Sequence, residues 1–118
     1  MRPSNILALN AVAVSGTTAY ASAAIECQQL LALSAQCVST STATGVLKFQ
    51  FSNDPKTNLA TNNVPTNWID IPSATVNVTA ASTVGIPKTE ICYEWVRVVY
   101  TNATNSGTVT VRLKFLGL

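Results

Sequence analysis

The sequence contains no histidine. That removes the commonest general base, the usual activator of a serine or cysteine nucleophile and the commonest metal ligand. Carboxylates are few: Glu26, Asp54, Asp70, Glu90 and Glu94 lie in separate predicted elements, and no two are spaced to work as acid and base. The three cysteines, Cys27, Cys37 and Cys92, lack metal-ligand spacing and sit among apolar or small residues, where a thiol behaves as a small hydrophobe. A single disulfide is the alternative, and spacing does not choose its partners. A glycine-rich phosphate cradle and a calcium loop of alternating acids are both missing. No catalytic residue, cofactor or metal is therefore expected, and the chain is read as a non-enzyme.

Charge is also scarce. Charged residues make up 10% of the chain, against about 25% in ordinary soluble domains. The seven basic residues (Arg2, Lys48, Lys56, Lys88, Arg97, Arg112 and Lys114) are scattered along the sequence, so no footprint for a phosphate backbone is visible and nucleic acid is not an expected partner. No stretch approaches the ~18 apolar residues of a membrane span, so no membrane partner is expected either.

What remains is a chain of 118 residues, 47% hydrophobic, long enough for one core and too short for two. Its polar surface is chiefly Ser, Thr and Asn, close to a third of the sequence. An uncharged coat of this kind tolerates close packing against neighbours, which favours a subunit of an assembly, expected as a homo-oligomer.

The periodicity is that of strands. Val109, Val111, Leu113 and Phe115 alternate with Thr108, Thr110, Arg112 and Lys114, the signature of a strand with one buried face. Residues 91–100 are β-branched and aromatic, residues 101–107 have turn chemistry, and the two strands are expected to form a hairpin. Upstream, Leu47, Phe49 and Phe51 alternate with Lys48 and Gln50, and Ser52-Asn53-Asp54-Pro55 ends that strand with an Asx-type turn. Residues 56–67 read as a long polar loop. Short strands follow at 68–71, stopped by Pro72, and at 74–79, and Pro87 separates 84–86 from the final pair.

Two stretches are ambiguous. Residues 6–14 with Arg2 ahead and Ala19, Ala21 and Ala23 behind have the layout of a secretory leader, but Asn10 interrupts the apolar run, so a first β-strand or extended arm is favoured. Residues 20–42 admit a short amphipathic helix, and two strands joined at 29–32 are preferred. Together these elements define an all-β fold: an N-terminal strand or arm over 1–17 and a single antiparallel β-sandwich, jelly-roll or Ig-like, over 18–118.

Trp95 lies in mid-strand, on the same face as Arg97 and Val99, and is read as a core filler. Trp68 starts a strand beside the long polar loop and is the candidate ligand contact, with Asp70 two residues on and Asn62 and Asn63 in the loop. Ile6, Leu7 and Leu9 are candidate assembly contacts, since an apolar terminus is the piece a lone sandwich needs least.

The ordered series Gly45-Val46-Leu47-Lys48-Phe49-Gln50-Phe51-Ser52-Asn53-Asp54, Trp68-Ile69-Asp70-Ile71, Tyr93-Glu94-Trp95-Val96-Arg97-Val98-Val99-Tyr100, Ser106-Gly107 and Val109-Thr110-Val111-Arg112-Leu113-Lys114 resembles small structural proteins of tailed bacteriophages over residues 18–117. The resemblance implies a β-sandwich virion component: a head decoration, minor capsid or tail protein, assembled in the host cytoplasm and bound to the major capsid protein or other virion proteins. It implies no catalytic residues. Two alternatives come from the residues themselves. Trp68 beside a polar loop suits a glycan- or cell-surface-binding module of a tail or fibre, and the leader-like N-terminus suits a secreted adhesin-like subunit.

Overall fold

The computed structural model describes residues 4–27, 30–55 and 65–117. Among these residues every regular element is a strand: β1 (Ser4–Val14), β2 (Ala19–Ala21), β3 (Ile25–Glu26), β4 (Leu30–Ser39), β5 (Thr44–Ser52), β6 (Ile69–Val78), β7 (Thr83–Glu90), β8 (Trp95–Thr104) and β9 (Gly107–Gly117). Asn62 and Asn63 lie outside the described residues.

The strands form two antiparallel sheets, ordered β1-β9-β4-β7 and β2-β8-β5-β6, with β3 also paired to β8. β2 and β3 act as two halves of one edge. Between them Ser22 pairs with Val98, its N–H donating to the carbonyl at 2.9 Å and its Oγ accepting from the amide at 3.0 Å. Counted that way, eight strands form two four-stranded sheets in jelly-roll order, the chain crossing between sheets at every connection but β5 to β6, which decides between the two sandwich topologies the sequence left open.

The alternation in β9 predicts its burial. Val109, Val111 and Leu113 are fully buried and Phe115 nearly so, and across the sandwich they meet Val96, Val98 and Tyr100 of β8 with Leu47 and Phe49 of β5. Fully burying a side chain of this size stabilises by about 1.5–3 kcal/mol relative to exposure.

β8 and β9 do not form the expected hairpin. They are central strands of opposite sheets, and the chain arches between them through Asn105, whose φ is 69°. The turn is also shorter than its composition suggests: β8 starts at Trp95 rather than at 91 and runs on to Thr104, because 101–104 find partners in β2 and β5. Three of the four-residue crossings likewise carry one residue in the left-handed region: Gly16 (φ 60°) between β1 and β2, Ser41 (φ 58°) between β4 and β5 and Ala81 (φ 47°) between β6 and β7.

The prolines also read differently in three dimensions. Pro72 does not end a strand, since β6 is continuous and absorbs it in an irregularity opposite Phe49, with Ser73 at φ 63°. Pro87 lies inside β7. Both strands are sheet edges, where the missing N–H breaks no ladder. In the stretch 20–42 the structure has three strands and no helix among its described residues, and β4 begins at Leu30. Of the thiols, Cys27 and Cys37 are buried, as expected of small apolar side chains, whereas Cys92 is exposed because it precedes β8 rather than belonging to it.

One buried polar cluster pins the end of the sandwich. Asn102, 1% exposed, accepts a hydrogen bond from the Tyr100 hydroxyl (2.8 Å) and donates to the carbonyls of Gly16 (2.8 Å) and Asn105 (3.0 Å). The turn before β2 and the arch after β8 are thereby tied to one side chain. Gly45 on β5 lies so close to the Tyr100 hydroxyl and the Thr101 carbonyl that a Cβ there would overlap both.

Candidate functional site

The outer face of the second sheet carries two of the site residues singled out by sequence, Trp68 and Asp70. Its construction starts with Ser52-Asn53-Asp54 at the end of β5. Asn53 Oδ1 accepts the amide of Glu94 at 3.1 Å, and the Asp54 carbonyl accepts the Trp95 indole N–H at 3.1 Å. The Asp54 carboxylate accepts the amides of Thr66 (2.8 Å) and Asn67 (3.0 Å) and the Asn67 side-chain amide (3.0 Å). This is more than the turn chemistry expected of it: Asp54 fastens the return of the long loop to its departure. The Asn67 and Thr66 donors hold its carboxyl below the usual carboxylate range.

Beyond that clamp, side chains on three neighbouring strands form a row. The Arg97 guanidinium on β8 lies 4.3 Å from the centroid of the Trp68 ring, and its Nε donates to Gln50 Oε1 on β5 at 2.9 Å. Gln50 Nε2 donates to Asp70 Oδ1 on β6 at 2.8 Å, and Lys48 Nζ reaches Asp70 Oδ2 at 3.1 Å. The Gln50 and Lys48 contacts lower the Asp70 pKa. Partial burial lowers that of Arg97, which remains a cation given its high intrinsic pKa.

The row therefore joins Trp68 to Asp70 through Arg97 and Gln50. Trp68 is half-buried and Asp70 exposed. Trp95 is on the same outer face, outside the inner core, and its indole N–H serves the Asp54 clamp. The apolar residues of β1 are on the other sheet and divide: Ile6 and Leu7 are each 39% exposed, while Leu9 packs in the core at 7%. Arg97, Gln50 and Lys48 were not singled out from sequence. The outward parity of Lys48 and Gln50 was visible in the alternation of β5; that of Arg97, which shares the face of Trp95 in an almost unbroken apolar run, was not, and neither was the β8-β5-β6 pairing that lines them up.

Chemically, the row offers planar hydrogen-bonding groups beside an indole. Its carboxylate, Asp70, stays ionised at neutral pH and accepts hydrogen bonds rather than donating a proton. Among the described residues, no three of Cys, Asp and Glu converge as a metal site would require.

No protein-family model matches the chain, and comparison with curated proteins finds no match. Solved structures do match in fold. The PBSX exported protein XepA aligns over 98% of this chain with a TM-score of 0.77 at 16% identity, and PirA over 97% with 0.52 at 11%. The chain spans 37% of the length of XepA and 93% of PirA.

Proposed function

We propose that the chain is a non-catalytic structural subunit of a bacteriophage particle, a capsid decoration or minor capsid component held by multiple contacts with the major capsid protein or another virion protein. The observation that carries the reading is the fold correspondence with XepA of phage PBSX, which extends over 98% of this chain. It is supported by the jelly-roll order of the sheets, frequent in capsid proteins, and by a surface poor in charge. Weak polar contacts suffice for such a subunit when copy number multiplies them. The test is mass spectrometry of purified particles for this polypeptide. Recovery in numbers comparable to the major capsid protein is expected of a decoration subunit, a few tens of copies would move it to a vertex or the tail, and absence would refute the proposal.

A glycan-binding reading has one observation in its favour, the half-buried Trp68 indole beside the Gln50–Asp70 hydrogen-bonding row. Arg97 already occupies the ring, so a sugar stacked there must displace it. Titration of glycans against tryptophan fluorescence tests this: saturation lost in Trp68→Ala supports it, and a response unchanged by Trp68→Ala removes it.

A further inference from the structure

Three of the seven basic residues, from two strands distant in sequence, share the outer face of the first sheet. β9 turns Arg112 and Lys114 outward by simple alternation, opposite Gln36 and Ser34 of β4. Lys88 arrives differently. In a regular β7 it would share the inward parity of Val84 and Ile86. The register shifts between the Leu33–Thr89 and Ala35–Ile86 pairs, so Pro87 and Lys88 together oppose Ser34. This is a β-bulge, a device that re-aims a side chain, and it puts Lys88 beside the same hollow as Lys114.

The hollow exists because the strand between the two lysines carries small residues. Ala32 and Ser34 of β4 form a floor, while Lys88 stands on one side and Lys114 and Leu116 on the other. With strands about 4.8 Å apart, the two lysine backbones are about 10 Å apart across it. Hollows of about 180, 350 and 180 Å³ adjoin along this line, the first sharing Ala32, Lys88 and Leu116 with the second and Ser34 and Lys114 with the third. They make one open groove from Leu31 to Gln36, about 17 Å long at the rise of a strand, or five to six residues of extended chain. Among the described residues, none of Lys88, Arg112 and Lys114 makes a side-chain hydrogen bond or an ion pair. Glu90, at the Leu31 end, is the one acidic residue lining these hollows.

We infer that this groove binds an extended, acidic segment of another protein, its carboxylates set against Lys88, Lys114 and Arg112 and an apolar side chain against Leu116. Exposed cations on both walls favour a ligand of negative charge. The lack of an exposed aromatic in the groove, where Phe115 is only 2% accessible, disfavours a sugar, which needs a stacking platform. The inference holds or fails independently of the particle assignment, since it concerns the chemistry of one surface.

The probe is a fluorescein-labelled, capped hexapeptide alternating Glu and Leu, titrated by anisotropy into the full chain at low salt. Saturable binding is expected, weakened about threefold to fivefold by each of Lys88→Gln and Lys114→Gln, as for a single partly exposed charge pair, abolished by Ser34→Trp, which fills the floor, and unchanged by Lys48→Gln on the opposite sheet. These are surface changes that leave the core intact, and circular dichroism confirms folding of each variant. Equal binding of the Glu→Gln peptide, or an equal loss with Lys48→Gln, would overturn the inference. So would tighter binding of an oligogalacturonate that depends on Lys88 and Lys114, which would make the groove a glycan site, or a concentration-dependent dimer dissociated by Lys88→Gln, which would make its occupant a second copy.

Discussion

Replacing Asn102 by Ala should cost far more than its size suggests, because the side chain serves two connections and a buried tyrosine. Asn102→Ala removes hydrogen bonds to the Gly16 and Asn105 carbonyls, at 2.8 and 3.0 Å, and the acceptor of the Tyr100 hydroxyl at 2.8 Å. Each bond contributes about 0.5–1.5 kcal/mol net, and a buried hydroxyl left without a partner costs about 1–3 kcal/mol. Tyr100 is fully buried, so water cannot take the vacated place without opening the core. The sum is about 3–4 kcal/mol. With an unfolding entropy of about 2.1 cal/mol/K per residue, that lowers the melting temperature by roughly 12–16 °C. Urea unfolding followed by tryptophan fluorescence reads the cost directly. Tyr100→Phe alone should cost about 1–2 kcal/mol, but close to nothing in the Asn102→Ala background, where the hydroxyl is already orphaned. A coupling of at least about 1 kcal/mol is the signature. An Asn102→Ala cost below 1 kcal/mol, additive with Tyr100→Phe, would refute the idea that this cluster is a structural pin.

Three further outcomes are expected. Gly45→Ala should destabilise by about 2 kcal/mol or more, because the new methyl meets a backbone carbonyl that cannot move aside; a thermal melt within 2 °C of the parent would contradict the close approach. Asp54 has its pKa lowered in the folded chain, so its contribution to stability is present above the unfolded carboxylate value and is lost as pH falls through the folded one. The urea midpoint should therefore drop below about pH 4, with a shallower drop in Asp54→Asn, and identical acid limbs would count against the clamp. Burial raises the Cys37 thiol to about 11, whereas Cys92 is exposed. Ellman's reagent at pH 8 should find one reactive thiol in the native chain and three in urea, and two or more in the native chain would put that burial in error.

The strands were largely legible in the sequence, and their partners were not. The alternation from Val109 to Phe115 marks β9 and its buried face without ambiguity. The turn chemistry at Asn105-Ser106-Gly107, however, suits an arch between two sheets as well as a hairpin within one, and only the packing of two apolar faces against each other chooses the arch. Pro72 and Pro87 look like stops until the strands that hold them prove to be edges. Similarly, Trp68 and Asp70 could be singled out by residue type, but the link through Arg97 and Gln50 requires residues 50, 70 and 97 to share one row. Lys88 is the sharpest case. Pro87 ahead of it looks like a stop, yet β7 runs on through Lys88, and one extra residue in the strand turns that side chain outward.

The free edges of both sheets have a further consequence. β1 carries two register shifts and Ala11 at φ 49°, β7 a proline and a bulge, β6 a proline and Ser73 at φ 63°, and β2 and β3 are interrupted between themselves. No edge presents a long, straight row of amides and carbonyls to a neighbour. Copies of this chain brought together at very high local concentration are thus kept from zipping edge to edge into a continuous sheet.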